Sequence, residues 1–204
     1  MKKFLLWLMF FVIFITPSMA SEQLDEANAK FTYKGKPIHP FLVGKFANWI
    51  SDKRPPMIVT VDVSAAFDTN EYRQSAVKKT YDWWFSEKEE MDGETRIYEA
   101  FHYLLLGKLA DGTHVIQTAS SGGGSGFFMD LMFVRFSEGE IFSEGKKEKQ
   151  LLMSIVGSYI LGDRYNGVIK VYPGKVFIPV SDGQFGSGSI DKDVELKFPK
   201  MKED

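Results

Sequence analysis

The chain of 204 residues contains no cysteine and only three histidines, His39, His102 and His114. The lack of cysteine excludes disulfides, thiolate catalysis, cysteine–zinc sites and a lipid attached to a cysteine. No histidine-rich metalloprotease motif and no serine-elbow pentapeptide is present. We therefore expect neither a cofactor nor a bound metal ion.

The longest apolar run lies at the N-terminus. Lys2 and Lys3 precede an unbroken apolar run over residues 4–15, and small side chains follow at Ser18 and Ala20. This is the order of a secretory signal, with the small residues where a signal peptidase reads. The run is shorter than the roughly 20 residues that a membrane-spanning helix needs. The sequence predicts a signal peptide over residues 1–20 and a periplasmic or secreted protein of bacterial type, with no transmembrane segment after cleavage.

The expected mature chain has 204 − 20 = 184 residues. That length predicts one β-rich domain over residues 21–199, with a loose tail at 200–204. Removing two lysines with the signal leaves 25 − 2 = 23 basic residues against 27 acidic ones, a net charge of −4. Because nucleic acids and anionic membranes favour a basic surface, this charge disfavours both as partners.

Alternating apolar and polar residues dominate the mature chain and predict short strands joined by tight turns. The fold class expected is mainly β: an antiparallel meander forming a sandwich or barrel, with one short N-terminal helix that begins at Pro40. The polar segment 21–30 is expected to be frayed. Charged or polar segments are expected to be turns or loops at 68–76, 88–94, 137–140 and 145–149. The predicted strands cover 31–38 (with a turn at 34–36), 57–65, 77–85, 97–109, 114–120, 127–136, 151–161, 168–172, 175–180 and 190–198.

The Asp111-Gly112 pair predicts a two-residue hairpin turn, which fixes a register between the flanking strands. In that register Ser121 lies opposite His102, while His114 points to the other face and cannot share a metal ion with His102. Serine beside histidine is a nucleophile-and-base arrangement. Asp130 would be the third member, but it falls roughly 13 Å along the same face, too far for a hydrogen bond. We expect instead a buried His102 bonded to a backbone or serine oxygen.

The run Gly122-Gly123-Gly124-Ser125-Gly126 lacks the lysine and Ser/Thr ending of a phosphate-binding loop. It predicts a flexible hairpin connection. Since glycine allows a ligand or partner backbone to approach closely, Gly123, Gly124 and Ser125 remain candidate residues at the rim of a binding site.

Trp83 and Trp84 must face opposite ways if they lie in one strand. Trp83 shares its face with Val77, Tyr81 and Phe85 and is expected in the core. Trp84 lies on a polar face, where it is either covered by a loop or available for binding. An open Trp84 could stack on a sugar or anchor a protein interface.

Asp191, Asp193 and Glu195 alternate along the last predicted strand. Oxygen ligands suit calcium. Acidic residues along an edge strand also discourage association between sheets, and we favour that interpretation.

Gly44-Lys45-Phe46 resembles the Gly-x-Trp start of lipocalin-type carriers, with phenylalanine in place of tryptophan and no helix pattern near the C-terminus. The resemblance implies a barrel that carries a small apolar ligand. The function we favour is an exported, non-enzymatic binding domain of the bacterial envelope whose ligand is a protein or a glycan. The alternatives are a lipocalin-like carrier and a hydrolase with an unrecognised site near His102.

Overall fold

A computed structural model describes residues 19–47, 58–69, 72, 75–143, 145–182 and 190–198. The first 18 residues and the final tail lie outside this range. The glycine-rich segment 183–189 and residues 48–57 also lie outside it. The helix predicted over 40–51 can therefore be compared with the structure only as far as residue 47.

A seven-stranded antiparallel sheet dominates the fold, in the order β3-β9-β8-β7-β6-β5-β4. Strands β4 to β9 are consecutive neighbours, as expected of a meander, whereas β3 crosses to the far edge beside β9. The sheet curls into half of a barrel. Its strands are β3 (Thr60–Asp62), β4 (Lys78–Thr80), β5 (Trp83–Asp92), β6 (Thr95–Lys108), β7 (His114–Ser121), β8 (Phe128–Ser143) and β9 (Lys146–Asp163).

Two smaller sheets and three helices complete the described part. The mainly β, antiparallel fold class predicted from the sequence is confirmed, although it holds two helices more than expected. One small sheet consists of β1 (Thr32–Tyr33) and β2 (Lys36–Pro37), and the other consists of β10 (Lys170–Tyr172), β11 (Lys175–Ile178) and β12 (Val194–Lys197). The helices are α1 (Met19–Lys30), α2 (Pro40–Gly44) and α3 (Val63–Asp68).

The large sheet separates two hydrophobic cores, because consecutive side chains of a strand point to opposite faces. On one face β6 to β9 pack against the three helices and the β1–β2 hairpin. On the other face β7, β8 and β9 pack against the three-stranded sheet. Strand β7 is buried on both faces from His114 to Ala119, as expected of the central strand of a sheet that is covered on both sides.

Helix α1 corrects the expectation that residues 21–30 are frayed. Its apolar face is small, with Ala27 fully buried and Leu24 packed against the helix-side core. Phe31 follows in a left-handed conformation (φ 58°), and its ring lies 5.4 Å from that of Tyr103 and 5.3 Å from that of Phe136. This tertiary packing holds a helix that the sequence pattern alone does not reveal.

Two hairpins extend well beyond the strands predicted. The segments 88–94, 137–140 and 145–149, expected as turns or loops, largely belong to β5, β8 and β9. Their charges mimic a loop, but they form cross-strand ion pairs: Lys88 with Glu99 at 2.9 Å, and Lys149 with Glu138 at 3.2 Å. A hairpin that is exposed on both faces has no buried side, so its strands show no alternation of apolar and polar residues. The sequence pattern therefore does not reveal them.

Two predicted strands are also divided. Residues 77–85 form a hairpin in which Lys79 pairs with Trp84 and Tyr81 sits in the turn at φ 54°. The predicted strand over 57–65 keeps only β3 in the described part, because the Asp62 carboxylate accepts a hydrogen bond from the Ala65 amide and begins α3. Such N-terminal capping favours a helix over a continued strand.

Candidate functional site

The hairpin between β6 and β7 places the histidines. The connection is a three-residue loop rather than the predicted two-residue turn, with Gly112 at φ 82° and the Leu109 amide donating to the Thr113 carbonyl. A bulge between Leu105 and Gly107 then shifts the register once more. His102 therefore pairs with Ala119, not with Ser121. Together the two shifts move the pairing by two residues, and an even shift leaves each side chain on the same face. The two histidines therefore still point to opposite faces, as predicted.

His102 lies in a groove on the face away from the helices. We define the His102 groove by the strand residues around it and the crossing segment 165–169; its volume is about 720 Å³. The imidazole stacks on Phe85, with ring centroids 5.1 Å apart and an interplanar angle of 11°, and meets the edge of Phe127 at 5.5 Å. The other residues of the sheet and its turns that line the groove are Thr80, Tyr81, Trp83, Glu87, Leu104, Leu106, Gln117, Ala119 and Met129.

The polar content of the groove is small. The Nε2 atom of His102 is buried and has no hydrogen-bond partner within the described residues, contrary to the expected backbone or serine bond. Burial lowers the pKa of His102, and the nearby Glu87 charge opposes that shift only in part. The ring is therefore neutral at pH 7 and offers one nitrogen without a partner in an otherwise apolar setting.

The segment 165–169 forms one wall of the groove and is held from behind. The Tyr165 hydroxyl donates to the Pro179 carbonyl at 2.9 Å, and the Ser181 hydroxyl donates to the Asn166 side chain at 2.7 Å. Val168, by contrast, is 74% exposed although it lines the groove. An anchored wall with an exposed aliphatic side chain suits contact with a ligand.

Trp84 is covered, which is one of the two alternatives that the sequence left open, whereas Trp83, expected in the core, lines a groove. Trp84 pairs with the buried Tyr103, packs against the helix-side core and lies beneath the Lys79 ammonium, 5.2 Å from the ring centroid. Trp83 is half-buried and lines the His102 groove. Ser86, on the same face as Trp84, is polar but fully buried, because its hydroxyl donates a hydrogen bond to the Ala76 carbonyl. A polar residue therefore does not mark this face as exposed.

Ser121 and Asp130 do not assemble with His102. Ser121 pairs with Ala100, two positions away from the predicted register. Asp130 pairs with Thr118, not with Gln117, and faces the helix side of the sheet. The described residues thus bring no nucleophile, base and acid together at His102, which is the outcome expected from the sequence but for a different reason: Asp130 is on the wrong face.

The glycine-rich loop has a structural requirement of its own. Gly123 adopts φ 85°, and a β-carbon there would lie 3.3 Å from the Tyr98 carbonyl oxygen, so glycine allows the loop to cross the β6 backbone closely. A β-carbon at Gly124 would meet nothing within 4 Å, and both Gly124 and Ser125 are exposed. The loop residues predicted as a binding rim lie outside the His102 groove.

A serine–histidine contact that the sequence did not suggest occurs at His39. This half-buried residue caps α2, and its Nδ1 accepts a hydrogen bond from the Phe41 amide at 3.2 Å. The proton must then be on Nε2, which lies 3.2 Å from the Ser75 carbonyl and 3.3 Å from the Ser75 hydroxyl. A protonated Nε2 donates and cannot accept the serine proton, so the pair is a structural cap rather than a catalytic one.

Two of the three acidic residues considered for calcium are occupied by other contacts. Asp193 accepts a hydrogen bond from the Val180 amide at 2.7 Å, and Glu195 pairs with Lys175 at 2.7 Å. No group of three metal-binding side chains occurs within the described ranges. Gly44-Lys45-Phe46, which suggested a lipocalin-type start, lies at the end of α2 and not at the start of a strand.

Comparisons with known proteins give no relative: no family model, no curated protein and no solved structure matches the chain. Within the described residues, no helix has both the length and the apolar character needed to cross a membrane. Function must therefore be argued from the site itself.

Proposed function

We propose that the protein is an exported, non-enzymatic binding domain whose ligand places an apolar or aromatic group in the His102 groove. The observation that carries the proposal is the groove: about 720 Å³, lined mainly by aromatic and aliphatic side chains, beside one buried nitrogen without a partner. Ligand sites in proteins commonly have this size and this mixture of many apolar groups with few polar ones. Export rests on the N-terminal sequence pattern alone.

The lining favours an apolar ligand group over a sugar. Trp83, Phe85 and Phe127 line the groove and supply aromatic contact area. A glycan needs several hydrogen-bonding groups beside the aromatic platform, and here Asn166 is already engaged by Ser181, while Glu87 is engaged by Lys78 and Tyr98. The glycan part of the original hypothesis is therefore the weaker part.

The carrier alternative draws support from the same lining, since an apolar groove can hold a small molecule. The groove differs from the interior of a closed barrel because the exposed Val168 leaves one side open. A small ligand would remain partly exposed, and an apolar side chain of a partner protein could enter from that side. Both kinds of ligand would place an apolar group in the groove, and the experiment below distinguishes a small molecule from a partner protein.

The test uses N-phenyl-1-naphthylamine, a neutral apolar probe whose fluorescence rises in apolar sites. Val168→Glu should weaken probe binding about tenfold, because a charge at the mouth of the groove opposes entry of an apolar group. The matched control is Phe142→Glu at the tip of the β8–β9 hairpin, since Val168 and Phe142 are both 74% exposed. Both variants should keep the melting temperature of the unmodified protein.

Trp83→Ala provides a second arm and should also weaken probe binding. If Val168→Glu and Trp83→Ala both bind the probe as the unmodified protein does, the groove is not the site. Mass spectrometry of solvent extracts from the natively purified protein, set beside cross-linking in envelope extract, then separates a small molecule from a partner protein.

A further inference from the structure

A second depression lies on the opposite face of the large sheet, beyond the end of α2. Its volume is about 1170 Å³, and it is bounded by the end of α2 and by strands β5 to β9. We call it the Asp130 cleft, after the carboxylate in its floor. Its floor faces the helix side of the sheet, whereas the His102 groove lies on the other face, although Glu87 and Met129 line both cavities.

Two large hydrophobic side chains of the Asp130 cleft are partly exposed. Ile160 is 61% exposed and Phe128 is 43% exposed, although both are large hydrophobic residues. Phe41 and Phe101 also line the cleft. Adjacent exposed hydrophobic side chains in a concavity mark a contact surface.

Asp130 lies next to this apolar surface. It pairs across β9 with Ile160 and across β7 with Thr118, so both cross-strand neighbours are uncharged. Its backbone carbonyl accepts a hydrogen bond from Thr118, but no described residue donates to its carboxylate. Burial raises the pKa of Asp130, which is the physical sign of a carboxylate without a compensating charge.

The other acidic side chains of the cleft have cationic partners. Glu99 and Glu90 both contact Lys88, at 2.9 Å and 3.8 Å. Glu87 pairs with Lys78 at 3.0 Å, and Glu89 pairs with Arg96. Asp130 is thus the cleft carboxylate that a ligand could neutralise.

We propose that the Asp130 cleft binds a small amphipathic cation, with its ammonium group on Asp130 and its apolar chain on Phe128 and Ile160. An ammonium group would supply the hydrogen bonds and the positive charge that the carboxylate lacks. Since four of the five acidic side chains in the lining are already paired with a lysine or an arginine, Asp130 itself sets the charge preference, and it repels the carboxylate of an anion of the same length. The apolar floor disfavours a cation that has no chain.

The test compares three probes with the same eight-carbon chain: octylammonium, octanol and octanoate. Binding to the purified full-length protein is followed by nuclear magnetic resonance titration at pH 7.5. We expect octylammonium to bind at least tenfold more tightly than octanol, and octanoate to bind most weakly. Asp130→Asn, which preserves side-chain shape, should reduce the preference for the cation over octanol to less than threefold.

Two controls keep the outcome decisive. Asp82→Asn removes an exposed carboxylate from the β4–β5 turn and should leave the preference unchanged. Ile160→Ser, at a position that is 61% exposed, should weaken the binding of octylammonium and octanol equally. The proposal is overturned if octylammonium binds no tighter than octanol to the unmodified protein, or if Asp130→Asn keeps the full preference.

Discussion

Lowering the pH from 7 to 5 should destabilise the protein through His114, the most deeply buried of its histidines. The side chain is 0% exposed, and its ring packs edge-on against Phe31 at 5.2 Å and Phe136 at 5.4 Å. Neither ring nitrogen has a hydrogen-bond partner within the described residues. This burial, together with repulsion from Lys108, lowers the pKa of His114 to about 4 from the usual 6.5.

The sign follows from proton binding. Between pH 6.5 and about 4 the unfolded chain holds a proton on His114 that the folded protein does not, so the free energy of unfolding falls as the pH falls. A shift of one pKa unit corresponds to about 1.4 kcal/mol. The full effect is therefore about 3 kcal/mol below pH 4, of which about 2 kcal/mol is lost between pH 7 and pH 5.

The variant His114→Leu isolates this contribution. Leucine is of similar size and has no polar atoms to leave unsatisfied, so at pH 7 the variant should be as stable as the unmodified protein, or more stable by about 1 kcal/mol. Its free energy of unfolding should fall between pH 7 and pH 5 by about 2 kcal/mol less than that of the unmodified protein. Urea denaturation at the two pH values, followed by circular dichroism, measures both quantities.

Comparing the variant with the unmodified protein cancels the contribution of the other titrating groups to the pH dependence. His39 and His102 have pKa values lowered by burial, and Asp130 has a raised pKa, but all three titrate equally in both proteins. Equal pH dependence in the two proteins would refute the assignment of a neutral, unpartnered His114. A large loss of stability in His114→Leu at pH 7 would show that the imidazole makes a polar contact essential to the core.

Three further results are expected. Trp84→Ala should lower the free energy of unfolding by about 2–3 kcal/mol in urea denaturation, because the ring packs on the helix-side core, whereas Trp83→Ala should cost less than half of that; equal losses would contradict the placement of the two rings. Gly167→Ala should weaken probe binding in the His102 groove and destabilise the protein by about 1–3 kcal/mol, since its methyl group would overlap the Tyr165 hydroxyl; an unchanged crystal structure around Tyr165 would argue otherwise. Expression of the full chain in a bacterial host should yield a periplasmic protein whose N-terminal residue is Ser21 by mass spectrometry, and recovery of the uncleaved chain in the cytoplasm would rule out export.

Much of the β architecture can be read from the sequence, because side-chain alternation reports burial directly. The strand at 114–120 and the turn at 34–36 were predicted from pattern and glycine alone, and the structure has β7 and the β1–β2 hairpin there. The charged ends of β8 and β9 were not predictable in this way. Their stability comes from partners across the hairpin, which a local pattern does not show.

The faces predicted for His102 and Asp130 depended on the register between neighbouring strands. The register is shifted by two residues in one pair of strands and by one residue in the next. Between β6 and β7 a three-residue loop and one bulge shift the pairing twice, so the face of His102 agrees with the prediction. Between β7 and β8 the pairing shifts once, and Asp130 moves to the other face of the sheet. Because side chains alternate with a period of two, an odd shift reverses a face and an even shift preserves it.

The sequence by itself determined the mainly β, antiparallel fold class, the absence of thiol chemistry and the opposite facing of His102 and His114. Tertiary structure alone decided which face of the large sheet packs against the helices and which against the three-stranded sheet. It also decided that Trp83 rather than Trp84 lines a groove and that Asp130 lies on the other face from His102. The physical reason is that alternation is a local property of the chain. Bulges, loop lengths and the packing of distant segments depend on contacts between residues far apart in sequence.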